Sequence, residues 1–380
     1  MLKIYFNLTI ILAFYTAYNI YMLNRYNFIM SRTTLIAEWP KDALDLTANI
    51  SPFEDTALIK PQAFCGEKTF LLIFVESSVR NFLARQAIRE TWGNSSRFNY
   101  PDFQKLHGHL KGTYYPPLKS RLQLYSEYLT GKDESLRASV RVLFIIGRSR
   151  TNEFLRQLRE EADQHNDIIM EDFIDSYRNL TLKTVLALKH LSSSCYNTTA
   201  YVLKTDDNAF VNIPNLLHIL LGGSMPTRNS FGKKVFRLTT TSNVLLGKKL
   251  SRAKPIVDVK NKWYMPHYMY PNNTYPAFLV GKGYLMSMDV VKRLYEAAWY
   301  TKVVHLEDVF VTGLCAVYAG VERMHSSLFP MFRSKRLCNY KNSIIRERPK
   351  GLSFFKVFNF VTNYSIKCTQ SHKAETKPLS

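Results

Sequence analysis

Three short blocks of the chain bring together side chains that can bind anions, hold cations or move protons. The first is Arg85-Gln-Ala-Ile-Arg89-Glu-Thr-Trp-Gly93. Its arginines stand four residues apart and share one face of a helix. Paired guanidinium groups suit a diphosphate or another anion, although a solvated helix face is the simpler reading. The second block is Tyr201-Val-Leu-Lys-Thr-Asp206-Asp207-Asn208. Carboxylates at the end of a strand can hold Mn²⁺ or Mg²⁺, and such a cation neutralises a departing diphosphate. Turns also favour Asp and Asn, so this pair has a purely structural reading as well. The third block is His305-Leu-Glu307-Asp308-Val-Phe-Val-Thr-Gly313. One of its carboxylates can act as a general base. A Glu-Asp pair also suits the first turn of a helix.

These blocks need a scaffold, and the apolar pattern supplies one. Residues 69–76 (TFLLIFVE), 141–146 (RVLFII), 167–170 and 200–205 (AYVLKT) are short apolar runs that read as buried strands. Residues 81–92, 152–163 and 180–191 carry helical periodicity between them. Strands alternating with helices predict an α/β fold with a mainly parallel sheet. In such sheets ligands bind beyond the carboxyl ends of the strands, which is where Asp206 to Asn208 fall. Residues 93–140 are polar, without a clear period, and read as a functional loop or a disordered insert.

The chain has 380 residues, enough for one large domain with a short anchor and stem. Its hydrophobic share of 46% is that of a globular protein and excludes wholesale disorder. A net charge of +21 favours anionic partners but does not choose among them. Residues 4–24 are largely apolar, broken by Asn7, Thr9, Thr16 and Asn19, and match the length of a membrane helix. A cleavable signal peptide is the rival reading. The expected organisation is a cytosolic tail over 1–3, a signal anchor over 4–24, a luminal stem over 25–64 and a luminal domain over 65–380. Sequons begin at Asn49, Asn94, Asn179, Asn197, Asn272 and Asn363, which supports a luminal domain and argues against nucleic acid as the partner. The five cysteines form no CxxC pair, which argues against a zinc ribbon or thioredoxin-like site. They read as structural disulfides with one thiol left over. Cys315 and Cys338, in neighbouring segments, are the expected pair.

Taken in order, the motifs resemble the beta-1,3-glycosyltransferase family, inverting enzymes of GT-A fold that include beta-1,3-galactosyltransferases and beta-1,3-N-acetylglucosaminyltransferases. The resemblance covers residues 70–315 and rests on RQAIRETWG (85–93), DIIMEDFIDSYRNLTLKT (167–184), YVLKTDDN (201–208), KWY…YPAFLVGKGYLMS (262–287) and EDVFVTGLC (307–315). It implies a UDP-sugar donor carrying galactose or N-acetylglucosamine. The acceptor would be a glycan on a glycoprotein or glycolipid, attacked through its 3-hydroxyl, and the cofactor Mn²⁺. It also implies a single-pass type II protein held in the Golgi membrane by the N-terminal helix. Carried over residue by residue, Asp308 is the expected base, and Arg85, Arg89, Asp206 and Asp207 lie on the donor side. Asp207 and Asn208 are the expected metal ligands, while Gly281, Gly283 and Glu307 lie on the acceptor side. Two departures stand out. The family's acidic triplet usually ends in Asp, where this chain has Asn208, and residues 343–349 lack the His that the family often supplies there. His325 is the nearest substitute. These departures motivate an alternative, a catalytically weak or inactive luminal relative that binds a glycan or a partner glycosyltransferase.

Overall fold

The computed structural model describes residues 2–51, 53–110, 114–151, 154–229 and 232–368. An eight-stranded sheet organises them. In chain order its strands are β1 (Ala57–Ile59), β2 (Thr69–Glu76), β3 (Val140–Arg148), β4 (Ile168–Ile174), β5 (Thr199–Asp206), β6 (Leu245–Leu250), β7 (Phe278–Ser287) and β8 (Met324–His325). Across the sheet the order is β1-β4-β3-β2-β5-β7-β6-β8. The four central strands, β4, β3, β2 and β5, are mutually parallel. β7 runs antiparallel to β5, and β6 antiparallel to β7.

The parallel half follows from the chain's pattern. Helices Phe82–Glu90, Leu155–His165 and Leu180–Ser194 are the crossovers between successive parallel strands. β2 is buried at every position, as an apolar run covered on both faces must be. Its side chains alternate between two cores: Leu72 and Phe74 join one, Ile73 and Val75 the other. Residues 152 and 153, where the second helix was expected to begin, lie outside the described residues.

Three expectations need correction. Residues 93–110 and 114–140 are not a structureless loop or a disordered insert. They include the short helices Asp102–His107 and Lys119–Leu124; Phe103 and Leu106 of the first, with Phe98 and Tyr100 just before it, join the second core, and Leu122 of the second packs against it. The buried Arg121 guanidinium donates to the carbonyls of Leu220, Leu238 and Thr240 at 2.7–2.9 Å. Helices this short show no detectable period, so the sequence pattern missed them. Part of the segment read as stem, residues 36–50, packs against the domain as well. Ile36, Trp39, Leu46 and Ile50 are buried, the Trp39 indole donates to the Arg178 carbonyl at 2.8 Å, and β1 extends the sheet edge. Finally, Cys338 pairs with Cys368, Cys65 with Cys195, and Cys315 is the free, buried thiol. Cys315 lies in the first core, whereas Leu337 and Tyr340, on either side of Cys338, pack with the second.

Residues 4–24 lie in one helix, Leu2–Thr33. Among the described residues no helix is long and apolar enough to cross a membrane. The Asn and Thr residues that interrupt the apolar run lower its mean hydropathy.

Candidate active site

The three blocks converge at the carboxyl ends of β2 and β5. The register sets Glu76 beside Asp206, and β7 lies against the other flank of β5 with Gly283 opposite Thr205. Lys204, two residues before Asp206 on β5, sits at the centre with its side chain 2% exposed. Its ammonium meets Glu76 Oε2 at 2.6 Å, Asp206 Oδ1 at 3.0 Å and Glu307 Oε2 at 3.5 Å, and donates to the Gly281 carbonyl at 2.8 Å. Burial alone would lower its pKa, but Asp206, Glu307 and Glu76 hold it well above the usual lysine value.

Around this cation the carboxylates differ. Burial raises Glu76, opposed by Lys204. Burial also pushes Glu307 up to about 8, against the pull of Lys204 and with the repulsion of Glu76 and Asp308. The Tyr284 hydroxyl donates to Glu307 Oε1. Glu307 therefore lies behind the site, inside the protein. Asp206 is the most charged of the group: burial opposes it, yet Lys204 and Lys282 together keep it below the ordinary Asp value.

Asp308 is partly exposed and stands at the start of a π-helical turn, Val309–Cys315. Such turns are rare and often mark functional positions. Its Oδ2 accepts from the Gly281 amide at 3.0 Å and its Oδ1 from the Val309 amide at 2.9 Å. Thr312 completes the turn, its hydroxyl donating to the Asp308 carbonyl at 2.6 Å. Burial raises the Asp308 carboxyl above the usual value, while the two backbone donors partly restrain it. Half-exposed Tyr177 and Trp263 stand next to each other, with Lys262 over the Trp263 ring at 4.5 Å. Burial first, and then the charge on Asp308, raise the Tyr177 hydroxyl to about 12, so this aromatic pair borders the carboxylate.

The glycines are placed by close approach. A Cβ on Gly281 would lie 3.0 Å from Glu307 Oε2 and 3.2 Å from Asp308 Cβ. A Cβ on Gly283 would lie 2.2 Å from Ile345 Cδ1. His305, a possible alternative base, is buried and turned to the Tyr264 carbonyl at 2.6 Å, and burial lowers it to about 4.

The two arginines of the first block face inward. Arg85 is 1% exposed and clasps Glu161 with Nε at 2.8 Å and Nη2 at 2.6 Å. Arg89 pairs with Asp167 at 2.7 Å and with Glu161 at 2.8 Å. Neither guanidinium reaches the acidic turn directly. Arg85 acts on it through Ser77: its Nη1 donates to Ser77 Oγ at 3.2 Å, and Ser77 donates to Asp207 Oδ2 at 2.8 Å. Asn81 adds a second bond to Asp207 Oδ2 at 2.7 Å. Lys183 braces the same loop from below, donating to the Ser77 carbonyl at 2.6 Å and meeting Asp175 at 2.8 Å.

The turn itself is already occupied by protein cations. Lys282 Nζ lies 2.8 Å from Asp206 Oδ2 and 2.9 Å from Asn208 Oδ1. Strand Ile345–Glu347 pairs with Ala209–Val211 and brings residues 345–348 alongside: the Arg348 amide donates to the Asn208 carbonyl at 2.8 Å. Glu347 is 4.0 Å from Lys282. His325 lies elsewhere, on edge strand β8, where its Nδ1 accepts from the Lys249 amide at 3.3 Å. Among the described residues no three His, Cys, Asp or Glu side chains gather where they could hold a metal. Both Asp206 oxygens lie on lysines, the Asn208 oxygen on Lys282 and Asp207 Oδ2 on Ser77 and Asn81, which leaves Asp207 Oδ1 as the one side-chain oxygen of the turn with no such bond; one carboxylate oxygen does not fit the Mn²⁺ that the resemblance implies.

Sequence reasoning did not single out Lys204, Lys282, Glu76 or Lys183. The first two lie inside the quoted motifs, at YVLKT and GKGY, but a lysine in a strand carries no signal until its partners are known.

A galactosyltransferase family model matches residues 128–327. The chain is 33% identical over 315 residues to human beta-1,3-galactosyltransferase 1, covering 82% of this chain and 80% of that protein. It is 30% identical over 307 residues to the zebrafish lactosylceramide 1,3-N-acetyl-beta-D-glucosaminyltransferase A, covering 79% and 66%.

Proposed function

The chain belongs to the galactosyltransferase family and is a glycosyltransferase; from that premise we propose that it transfers galactose or N-acetylglucosamine from a UDP-sugar to the 3-hydroxyl of an acceptor sugar, with inversion. The observation that carries the reading is the single partly exposed carboxylate of the third block, Asp308, bordering the lysine-rich end of β5. In an inverting transfer the acceptor oxygen attacks the anomeric carbon from the side opposite the leaving group. Its proton goes to Asp308, whose two backbone bonds fix the carboxylate's direction. The bond to the β-phosphate oxygen breaks, and the electron pair leaves on UDP. No covalent intermediate forms. Tyr177 and Trp263 give the acceptor ring an aromatic wall to lie against. Arg85 serves the donor side indirectly, by stiffening the loop that carries Ser77, and Arg89 shares its partner Glu161. The alternative of a non-catalytic relative is not favoured, since the relatives' names are those of enzymes.

The test is transfer by the purified chain from UDP-galactose and UDP-N-acetylglucosamine to galactose- and N-acetylglucosamine-terminated acceptors, with the product linkage read by NMR. A 1,3-linked product is expected. Absence of UDP release with every acceptor would sink the reading.

The setting proposed is the Golgi lumen, with the N-terminal helix held at the membrane and a glycoprotein or glycolipid glycan as acceptor. Three features support it. The chain has two disulfides, sequon residues Asn49, Asn197, Asn272 and Asn363 are exposed, and helix Leu2–Thr33 leaves Ile11, Phe14 and Leu23 uncovered by protein. Glycosidase-sensitive mobility and resistance to carbonate extraction are expected; protease digestion of the domain in sealed microsomes would contradict it.

A further inference from the structure

Lys282 occupies the place that a divalent cation would need. Its ammonium bridges Asp206 Oδ2 and Asn208 Oδ1, the two outer side chains of the acidic turn, at 2.8 and 2.9 Å. A second positive centre on the same oxygens would be repelled at close range. Lys204 cannot take this role, because it is sealed behind the turn at 2% exposure, whereas the Lys282 side chain keeps 19% of its surface open. The two features of the turn also compensate each other in charge. Asn208 carries one negative charge fewer than an aspartate would, and an ammonium one positive charge fewer than a divalent ion, so the net charge of the turn is unchanged. Asp206 keeps its carboxylate under these conditions, held by both lysines. Glu347 Oε1 stands 4.0 Å from the Lys282 ammonium, on the strand that borders Asn208, and is itself bound by Arg333 at 2.5 Å.

We propose that this glycosyltransferase works without a metal ion, the Lys282 ammonium binding the donor's diphosphate and neutralising the leaving UDP. This rests on the sugar-transfer reading. The balance is complete without a further reactant. The anomeric C–O bond breaks, the electron pair goes to the β-phosphate oxygen beside Lys282, and the acceptor's proton goes to Asp308.

The experiment measures UDP binding by calorimetry on the purified full chain, in EDTA and in Mn²⁺, for the native protein, Lys282→Thr and Lys282→Arg. The native protein is expected to bind UDP in EDTA with an affinity that Mn²⁺ does not improve. Lys282→Thr should weaken binding in EDTA by roughly ten- to a hundredfold, the range of a charge-assisted bond, and Mn²⁺ should then restore part of it through the vacated oxygens. Lys282→Arg should retain most of the affinity. Native binding that requires Mn²⁺, or Lys282→Thr that binds as well as native in EDTA, overturns the proposal. Unchanged melting of Lys282→Thr separates lost charge from lost fold; a Thr variant that unfolds shifts the decision to Lys282→Arg and to the native response to EDTA. Metal-free, Lys282-dependent UDP binding without transfer to any acceptor leaves the Lys282 diphosphate site standing and removes the transfer reading. Transfer that depends on Mn²⁺ does the reverse.

Discussion

The Gly281 amide donates to Asp308 Oδ2 at 3.0 Å, and the carbonyl of the same residue accepts from the buried Lys204 at 2.8 Å. One residue of β7 thus ties the candidate base to the cation at the centre of the site. A methyl group at this position would press on Glu307 Oε2 and Asp308 Cβ, at 3.0 and 3.2 Å. Gly281→Ala should therefore displace the Asp308 carboxylate. We expect kcat to fall by about tenfold or more, since a small misplacement of a reacting group is costly, with stability reduced by only about 1–3 kcal/mol. Steady-state kinetics beside a denaturant titration decides it; equal kcat in both proteins would show that Gly281 does not position the base.

Asp308→Asn keeps a carbonyl oxygen for the Val309 amide and removes the proton acceptor. The expected loss in kcat is ~10²–10⁴-fold, with UDP affinity preserved. A role confined to capping the turn would instead cost about 1 kcal/mol of stability and leave turnover intact. Turnover, UDP affinity and melting measured on one preparation separate the two.

The pH profile follows from the same carboxylate. Burial holds the Asp308 pKa above 3.8, and only the ionised form accepts a proton. Activity is then lost as pH falls through this raised value and is complete above it. The acid limb of kcat/KM should have its midpoint above 3.8 and should persist in Glu307→Gln, whose native carboxyl titrates near 8. A limb centred at or below 3.8, or one that vanishes in Glu307→Gln, contradicts the assignment to Asp308.

Lys204→Met removes the cation shared by Glu76, Asp206 and Glu307. Leaving buried carboxylates uncompensated should cost ~3–5 kcal/mol. The sign of its pH dependence is fixed by the raised Glu76 and Glu307 carboxyls, which take up protons as pH falls. The variant should thus be hurt less at pH 5 than at pH 8. Denaturant titrations at the two pH values test this, and a loss independent of pH would show that the network is not ionised as described.

Much of this arrangement was legible from the chain. β2 spans the expected residues, 69–76, because an apolar run of eight with no helical period has few other solutions. Asp206 falls at the end of β5, as the AYVLKT run indicates. What stayed hidden was tertiary in origin. The arginines of the first block share a helix face, but pattern alone does not reveal that Glu161 waits on a neighbouring helix and Asp167 just ahead of β4. Residues 93–110 and 114–140 fold through contacts with helix Ile213–Leu220 and the sheet, not through any period of their own. The Lys282 bridge depends on two strands meeting, and nothing local announces it.

Cys315 closes the π-helical turn that begins beside Asp308. It is fully enclosed, and burial pushes its thiol far above the usual range, so the folded chain offers a reagent almost no thiolate. With the other four cysteines bridged, this thiol is a native stopwatch. Its alkylation rate counts the moments when the segment that carries Asp308 comes open, with no label to introduce and no second free thiol to confuse the trace. Slower labelling on adding UDP would mean that donor binding draws that segment shut.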